Sequence, residues 1–414
     1  MIPFIPPLLG PLAENTLIAI IASQLSGPAK DLIDTIKRWF SGDKKTTKEV
    51  VQAELDPIYI TLVAPRGAGK TSLLATIVKY IDNNINKAKG FSVKPCTETD
   101  GTRIAKFNMD LSSKMQSGNF KFDSGFLRGD NEITKFDFEL NFNVENENIV
   151  LKQKFIVMDI PGGWISDNIP FPQEFTEHFH KSRVLWIPVE APALMEVNDN
   201  SPSDLGRAAN VLCCDRVGTF IKEWAEVRKE DKEQKPCSAN FVITKCETYH
   251  TQDESANKNR WAECREKFNR KYGEIINQVH DINGNIKMMY VPVETIGFVK
   301  IYKSKWDTEE GRDVLKADYK FTKKGIYPDI KGVDALMSTV LEYCYSNLDS
   351  RIKNDIKWLD EQIKNAPFWD SWFSNKKEIK AELEKFHTKI EPLKQKMLEL
   401  KKPDGFSRKY STPV

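Results

Sequence analysis

The sequence lacks the spacings that mark a disulfide framework, a zinc site or a nucleophile paired with histidine. Its 7 cysteines are an odd number without a C-x-x-C pair, and only 5 histidines are present. No spacing of these residues matches a metal cluster. We therefore expect free thiols in a reducing compartment, and the predicted location is the cytoplasm.

The chain also lacks an excess of one charge and a long apolar run. Its 61 basic and 59 acidic residues leave a formal charge of +2, so no chain-wide field attracts nucleic acid, and we expect no specific nucleic-acid partner. The uninterrupted apolar part of the N-terminal stretch, residues 17–22, is far shorter than the ~20 residues of a membrane-spanning helix. Two roles stay open for this stretch: docking on the protein's own body, or a peripheral membrane contact.

From residue 55 onward, strand-like and helix-like segments alternate, which is typical of an α/β fold with a mostly parallel sheet and helices on both faces. The predicted strands contain the sequences IYITLVAP, TKFDFELNFNV, IVLKQKFIVMD, RVLWIPVEAP, ANFVITK and KMMYVPVET. The pattern divides the chain into an N-terminal apolar and helical segment (1–54), an α/β domain (55–348), a helical arm (349–402) and a tail (403–414).

The stretch APRGAGKTS, residues 64–72, lies between the first predicted strand and its helix. It fits the P-loop pattern, with alanine in place of the usual first glycine. Small residues let backbone N–H groups surround a β-phosphate, Lys70 neutralises the β- and γ-oxygens, and the Thr71 hydroxyl binds Mg²⁺. The predicted phosphate-binding residues are Ala64, Gly67, Ala68, Gly69, Lys70, Thr71 and Ser72. The sheet is therefore predicted to be of the P-loop NTPase type.

A second motif, DIPGG, ends a later apolar strand. Asp159 is predicted to hold Mg²⁺ through water, and the Gly162 N–H to reach a γ-phosphate. Ile160 stands where many ATPases place a glutamate, and Gly163 stands where a water-positioning glutamine often lies, so unaided turnover is expected to be slow. Arg66 is the candidate for a catalytic charge supplied in cis; the alternative is an arginine that points to solvent or to a partner subunit.

A third motif, TKCE, ends the predicted strand ANFVITK. Thr244, Lys245 and Glu247 occupy the positions where GTPases place an Asn or Thr, a Lys and an Asp. An acidic side chain at the last position accepts the guanine N1–H and N2–H donors together, which adenine does not present.

With the motifs APRGAGKT, DIPG, TKCE and VPVETIG in this order, the chain resembles the translation-factor-related (TRAFAC-class) P-loop GTPases, and in particular the divergent large GTPases of bacterial signalling and conflict systems. The resemblance covers residues 55–348. It implies GTP or GDP and Mg²⁺ as ligands, with base contacts through the backbone around Glu294 and Thr295. Glu247 replaces the usual aspartate and "ET" replaces the usual Ser-Ala pair, so ATP stays open as the alternative nucleotide.

The segment at 81–135 is much longer than the switch loop of a small GTPase. It contains Thr97, Thr99 and Thr102, each of a type that closes over Mg²⁺ and a γ-phosphate. Thr102 is our candidate metal ligand, although the sequence does not separate the three. A further expansion at 190–215 is a candidate for partner contacts.

The C-terminal region carries apolar residues at steps of four and three, a pattern typical of a helical seam. We expect two antiparallel helices that turn at Pro367 and pack on each other, on the α/β domain or on another chain. The arm is the predicted site for an unknown protein partner, and pairing through it would give a homodimer.

These motifs favour a Mg²⁺-dependent molecular switch that binds and hydrolyses GTP and acts through its arm. Two alternatives stay open: a pseudo-GTPase scaffold that holds nucleotide without turnover, and an ATPase with the same phosphate site. Gly163 favours the scaffold, whereas Lys70, Thr71 and Asp159 favour the switch.

Overall fold

The computed structural model describes residues 51–88, 90–116, 132–143, 149–167, 169–231, 235–249, 254–297, 299–321, 329–365, scattered positions between 381 and 402, and 404–414. The predicted N-terminal helical segment up to residue 50 and the predicted turn of the arm lie outside the described residues. Among the residues that the structure does describe, no helix combines the length and the apolar character needed to cross a membrane.

The strands are β1 (Val51–Leu62), β2 (Phe91–Pro95), β3 (Thr134–Asn143), β4 (Ile149–Asp159), β5 (Val184–Glu190), β6 (Ser238–Thr244), β7 (Lys287–Pro292), β8 (Val299–Glu309), β9 (Arg312–Phe321) and β10 (Thr412–Pro413). The helices are α1 (Lys70–Tyr80), α2 (Glu98–Gln116), α3 (Gly162–Ser166), α4 (Gln173–Lys181), α5 (Ala191–Met195), α6 (Pro202–Leu212), α7 (Cys214–Lys229), α8 (Glu254–Ile282), α9 (Val333–Asn365) and α10 (Gly405–Tyr410). A π-helical turn (Ile81–Ile85) continues α1, and a 3₁₀ turn (Cys246–Tyr249) follows β6.

The main sheet is 8-stranded, in the order β10-β7-β6-β5-β1-β4-β3-β2. The pairs β1–β5, β5–β6 and β6–β7 are parallel, whereas β10 joins β7 antiparallel. Every residue of β5 and β6 is buried, as expected for parallel strands covered on both faces. The α/β class with a mostly parallel sheet flanked by helices is confirmed, and each of the six predicted strands is present.

Aromatic side chains fix helix α8 on this sheet. Phe268 and Tyr272 lie one helical turn apart, and their ring centroids are 5.1 and 5.2 Å from that of Phe241 in β6. All three are almost fully buried. Such ring pairs add to the free energy gained from burial alone, so they hold β6 and the motif that follows it in a rigid setting.

Strands β8 and β9 form a separate antiparallel hairpin that the sequence patterns above do not predict. The chain reverses at Glu310 and Gly311, which both have a positive φ. The outward positions of β8 are exposed and mostly charged, and its inward positions after the buried Val299 are only partly buried. A strand of this kind lacks the apolar alternation that marks a half-buried strand in a sequence.

The chain divides into two compact units. The larger comprises Pro57–Leu140, Lys154–Ser346 and Gln395–Val414, and it contains all of the sequence motifs. The smaller comprises Met1–Asp56, Asn141–Gln153 and Asn347–Lys394. Within the smaller unit, His387 Nε2 lies 3.3 Å from Asp349 Oδ1, so the two predicted helical stretches of the arm touch at this point. Helix α9 runs without a break through residue 348, and the domain boundary placed there stays a prediction.

Candidate functional site

Four parallel strands bring the sequence motifs to one edge of the main sheet. In the register of the sheet, Glu190 at the end of β5 pairs with Thr244 at the end of β6, and Ile243 pairs with Pro292 at the end of β7. The stretch APRGAGKTS (residues 64–72), the candidate phosphate loop and called the phosphate loop below, follows β1; the TKCE motif begins at the end of β6, and the VPVETIG motif spans the end of β7. Ligands of parallel α/β sheets bind at this carboxyl edge.

Two glycines shape the phosphate loop. Gly67 and Gly69 have φ angles of +78° and +83°, a left-handed conformation that glycine adopts without a steric cost. Gly69 caps α1, and its carbonyl accepts a hydrogen bond from Leu73 N at 2.9 Å. Thr71 and Ser72 follow, half-buried, in the first helical turn, where free backbone N–H groups and the helix dipole favour an anion.

Lys70 begins α1 and folds back over the phosphate loop. Its Nζ atom donates to Ala64 O at 3.0 Å and to Pro65 O at 3.3 Å. Burial lowers the pKa of Lys70, while the charge of nearby Asp159 opposes that shift. A half-buried ammonium that has only carbonyls as hydrogen-bond acceptors fits an anionic phosphate oxygen as its ligand. Thr71 and Asp159 are the residues that would hold Mg²⁺ beside it.

The start of α3 packs directly against the phosphate loop. A Cβ atom on Gly162 would lie 2.6 Å from Arg66 N, and a Cβ atom on Gly163 would lie 2.6 Å from Arg66 Nη2. Backbone therefore excludes a side chain at the first position, whereas at the second the flexible Arg66 guanidinium would have to move to make room for one. The Arg66 guanidinium occupies the space into which a water-positioning glutamine at position 163 would extend.

Residues after the start of α3 hold Arg66 in this place. Its backbone N–H donates to Ser166 Oγ at 3.4 Å, and its Nη2 atom lies 3.5 Å from Asp167 Oδ2. The other carboxylate oxygen of Asp167 lies 3.1 Å from Nη2 of Arg312 in β9. Asp167 thus bridges one arginine of the phosphate loop and one of the hairpin.

The TKCE motif is tied to the phosphate loop through Thr244. Its hydroxyl donates to Ala68 O at 2.8 Å and to Val189 O at 3.3 Å, which links β6, β5 and the loop. Lys245 has a φ of +57°, and its Nζ atom lies 2.6 Å from Glu190 Oε1. The lysine of this motif is therefore paired with a carboxylate from the neighbouring strand.

Glu247 lies in the 3₁₀ turn and is only 3% exposed. Its Oε1 atom accepts hydrogen bonds from Thr295 N at 3.2 Å, Thr295 Oγ1 at 3.0 Å and Ile296 N at 3.1 Å. Its Oε2 atom is buried without a hydrogen-bond partner. Burial raises the pKa of Glu247, and the charge of Glu294 raises it further. A buried acceptor without a donor costs about 1–3 kcal/mol, so this oxygen fits a ligand that donates hydrogen bonds.

The VPVETIG motif divides its side chains between two tasks. Thr295 bonds Glu247, whereas Glu294 Oε2 lies 2.8 Å from Lys331 Nζ. Backbone hydrogen bonds also join Glu294 and Lys331 in both directions. Contacts between this segment and a base stay a prediction.

The three candidate threonines lie at the start of α2. Thr97 caps the helix, because its Oγ1 atom accepts from Asp100 N at 3.0 Å and donates to Asp100 Oδ2 at 2.6 Å. Thr102 Oγ1 donates to Glu98 O at 2.9 Å, and Thr99 is exposed on the same helix. Metal binding by Thr102 stays a prediction.

Neither a protein-family model nor a curated protein sequence matches the chain. Among solved structures, the S. cerevisiae Ski7 GTPase-like domain bound to GTP is similar to part of it, with 13% sequence identity and a TM-score of 0.28. The similar region covers 58% of this chain and 43% of that chain, less than half of its length. A similarity this low carries no argument about ligand or activity, so the function must be argued from the residues themselves.

Sequence reasoning missed Glu190, Asp167 and Arg312. The signal for Glu190 is the single carboxylate that ends the buried run VLWIPVE, since a charge at the end of a buried strand needs a partner. Asp167 and Arg312 carry no comparable signal, because their pairing depends on where the hairpin lies.

Proposed function

We propose that this chain is a Mg²⁺-dependent GTP-binding protein that hydrolyses GTP and works as a switch. The observation that best supports this proposal is the buried Glu247 carboxylate at the same sheet edge as the phosphate loop. One oxygen is occupied by Thr295 and Ile296, and the other has no hydrogen-bond partner. Guanine presents two adjacent donors to such an acceptor and adenine does not, so the site favours GTP over ATP.

The residues of the phosphate side suit hydrolysis of a triphosphate. Lys70 would neutralise the β- and γ-oxygens, and Gly162 N–H would donate to the γ-phosphate. Mg²⁺, held by Thr71 and Asp159, would supply further positive charge. Water would attack the γ-phosphorus in line as the bond to the β–γ bridging oxygen breaks, giving GDP and phosphate. Arg66 would stabilise charge that grows in this transition state.

A nucleotide-binding scaffold without turnover is the second candidate function. It is favoured by Gly163, because no side chain at this position orients a water molecule. Arg66 fills the adjacent space but is also directed toward Asp167. Turnover, rather than binding, therefore separates the two candidates.

The helical arm is the proposed partner-binding element. Within the smaller unit, the contact between His387 and Asp349 supports an arm made of two touching helices. A protein partner, or a second copy of the chain that pairs through the arm, would bind according to which nucleotide the chain holds. Peripheral membrane contact through the N-terminus is part of the same proposal.

The test is nucleotide identification in protein purified without added ligand, followed by titration with slowly hydrolysed GTP and ATP analogues with and without Mg²⁺. We expect bound guanine nucleotide, Mg²⁺-dependent binding, and loss of both analogues in Lys70→Ala. Equal affinity in Lys70→Ala and parent would contradict the phosphate site. Preference for the ATP analogue would favour the ATPase. Tight GTP binding without phosphate release above the Lys70→Ala background would favour the scaffold.

A further inference from the structure

A buried ion pair joins the ends of β5 and β6 at the candidate site. Lys245 Nζ lies 2.6 Å from Glu190 Oε1, and the two side chains are 14% and 11% exposed. Because both side chains are mostly buried, this pair is not an exposed ion pair that contributes little to stability. Removal of one partner leaves an uncompensated charge in a poorly solvated place.

The carboxylate of this pair lies beside the phosphate loop. Its Oε2 atom would be 3.9 Å from a Cβ atom built on Gly67. Thr244, directly before Lys245, bonds the same loop through Ala68 O. The negative charge of Glu190 therefore lies next to the loop that is proposed to bind a polyphosphate. If this carboxylate were unpaired, it would repel the ligand.

The surroundings fix the geometry of the pair. Lys245 has a left-handed backbone, with φ +57°, which is uncommon for a residue with a side chain and persists where its neighbours enforce it. Tyr319 of the hairpin is 8% exposed; burial raises its pKa, and the charge of Glu190 adds to that shift. The ammonium is thereby directed to Glu190 by the strand end and the left-handed turn that follows it.

We propose that Glu190 is a positioning residue of the nucleotide site: it holds the Lys245 ammonium beside the phosphate loop, and the electrostatic task of Lys245 is to neutralise Glu190. This assignment rests on the proposed nucleotide binding and deepens it. It differs from a motif lysine that contributes its own charge to the nucleotide, because the pair as a whole is neutral.

The test is a double-mutant cycle in the full chain, with affinities for the slowly hydrolysed GTP analogue and for GDP. Lys245→Met leaves the carboxylate unpaired, and we expect at least a tenfold loss of GTP-analogue affinity. Glu190→Gln keeps an acceptor for Lys245 and removes the negative charge, so affinity should rise by about two- to fivefold, more for the triphosphate than for GDP. The double variant Glu190→Gln/Lys245→Met should recover most of the affinity lost in Lys245→Met.

A control is Lys287→Met, which breaks a more exposed lysine–glutamate pair with Glu342 (2.9 Å) outside the candidate site. Its nucleotide affinity should equal that of the parent. Thermal unfolding checks that each variant folds. If Lys245→Met does not fold, the affinity of Glu190→Gln still tests the assignment. A double variant as weak as Lys245→Met, or weaker binding in Glu190→Gln, overturns the assignment. If the variants lower only the melting temperature, the pair is structural and the assignment is also wrong. A parent that binds neither nucleotide contradicts the proposed function itself, and the assignment with it.

Discussion

The phosphate side and the base side of the candidate site are built from different parts of the chain. The phosphate side consists of backbone, shaped by Gly67 and Gly69, with Lys70 as its half-buried cation. The base side consists of a buried carboxylate, Glu247, held by Thr295 and Ile296 from a neighbouring segment. Backbone geometry tolerates few residue types and leaves a motif in the sequence, whereas side-chain placement depends on packing and leaves a weaker one.

The largest expected effect concerns turnover on the phosphate side. Arg66→Ala removes the guanidinium that lies beside Gly163, and an arginine that acts on transition-state charge contributes roughly a thousandfold or more to turnover. We expect a large loss of kcat with little change in affinity for the GTP analogue, since the charge acts mainly in the transition state. Phosphate release under single-turnover conditions measures this.

A suitable control for this variant is Arg260→Ala, which removes an exposed arginine on α8 that pairs with Glu263. Its turnover should equal that of the parent. If Arg66→Ala hydrolyses GTP at the parent rate, Arg66 is only a contact of Asp167, and the cis-arginine hypothesis is wrong.

The second prediction tests the backbone character of the phosphate side. Gly162→Ala places a Cβ atom 2.6–2.8 Å from three backbone atoms of Pro65 and Arg66. The loop must move, at a cost of about 3 kcal/mol, which corresponds to roughly a hundredfold loss of affinity. Titration should find this loss for GTP and ATP analogues alike.

Gly206→Ala is the matched glycine control. Gly206 lies within α6, and no atom approaches the position of its Cβ within 4 Å. Alanine there should stabilise the helix by about 0.5–1 kcal/mol and leave nucleotide affinity unchanged. Equal affinities in both glycine variants would mean that α3 does not brace the phosphate loop.

The contrast between the two sides also explains what the sequence predicted and what it did not. The strands and the phosphate loop were predictable because buried parallel strands are apolar runs and the loop has a glycine pattern. The close approach of the Arg66 guanidinium to Gly163 was not predictable, because it depends on where that side chain lies in space. Site assignments for Glu294 and Thr102 stay predictions, and the structure adds that their side chains bond Lys331 and the Glu98 carbonyl.

The hairpin shows the limit of pattern reading most clearly. β8 places three exposed lysines, Lys300, Lys303 and Lys305, on its outer side. Its inner side contacts the end of α5 through polar bonds such as Trp306 Nε1 to Glu196 O at 2.9 Å. No apolar period marks such a strand. Its contribution to the site, through Arg312 and Tyr319, follows only from tertiary placement.

The third prediction concerns the base side alone. Glu247→Ala removes a buried carboxylate whose bond to guanine donors would be worth about 1.5–3 kcal/mol, or roughly ten- to a hundredfold in affinity. GTP-analogue binding should weaken by this factor, and ATP-analogue binding should not. Glu139→Ala is the control, since Glu139 is a buried carboxylate on β3, at the other side of the sheet. Equal weakening of both nucleotides in Glu247→Ala would mean that TKCE is not the specificity motif.

The smallest effects are expected where the hairpin meets the phosphate side. Asp167 lies 3.5 Å from Arg66 and 3.1 Å from Arg312, and the two arginine side chains are 59% and 45% exposed. Exposed ion pairs contribute about 0–1 kcal/mol, or at most about fivefold. Arg312→Ala leaves Asp167 to Arg66 alone, so turnover should fall by a few-fold. Asp167→Asn releases Arg66 and should raise turnover by a similar factor.

The opposite signs of these two changes are the informative result, because a general loss of stability would lower turnover in both variants. Lys316→Ala supplies the control, since Lys316 bonds Asp307 and Glu309 within the hairpin and should leave turnover unchanged. At equal GTP affinity, phosphate release slower than the parent in Arg312→Ala and faster than the parent in Asp167→Asn would show that the hairpin affects the phosphate side. Equal rates would separate them, and the hairpin would then belong to the base side alone.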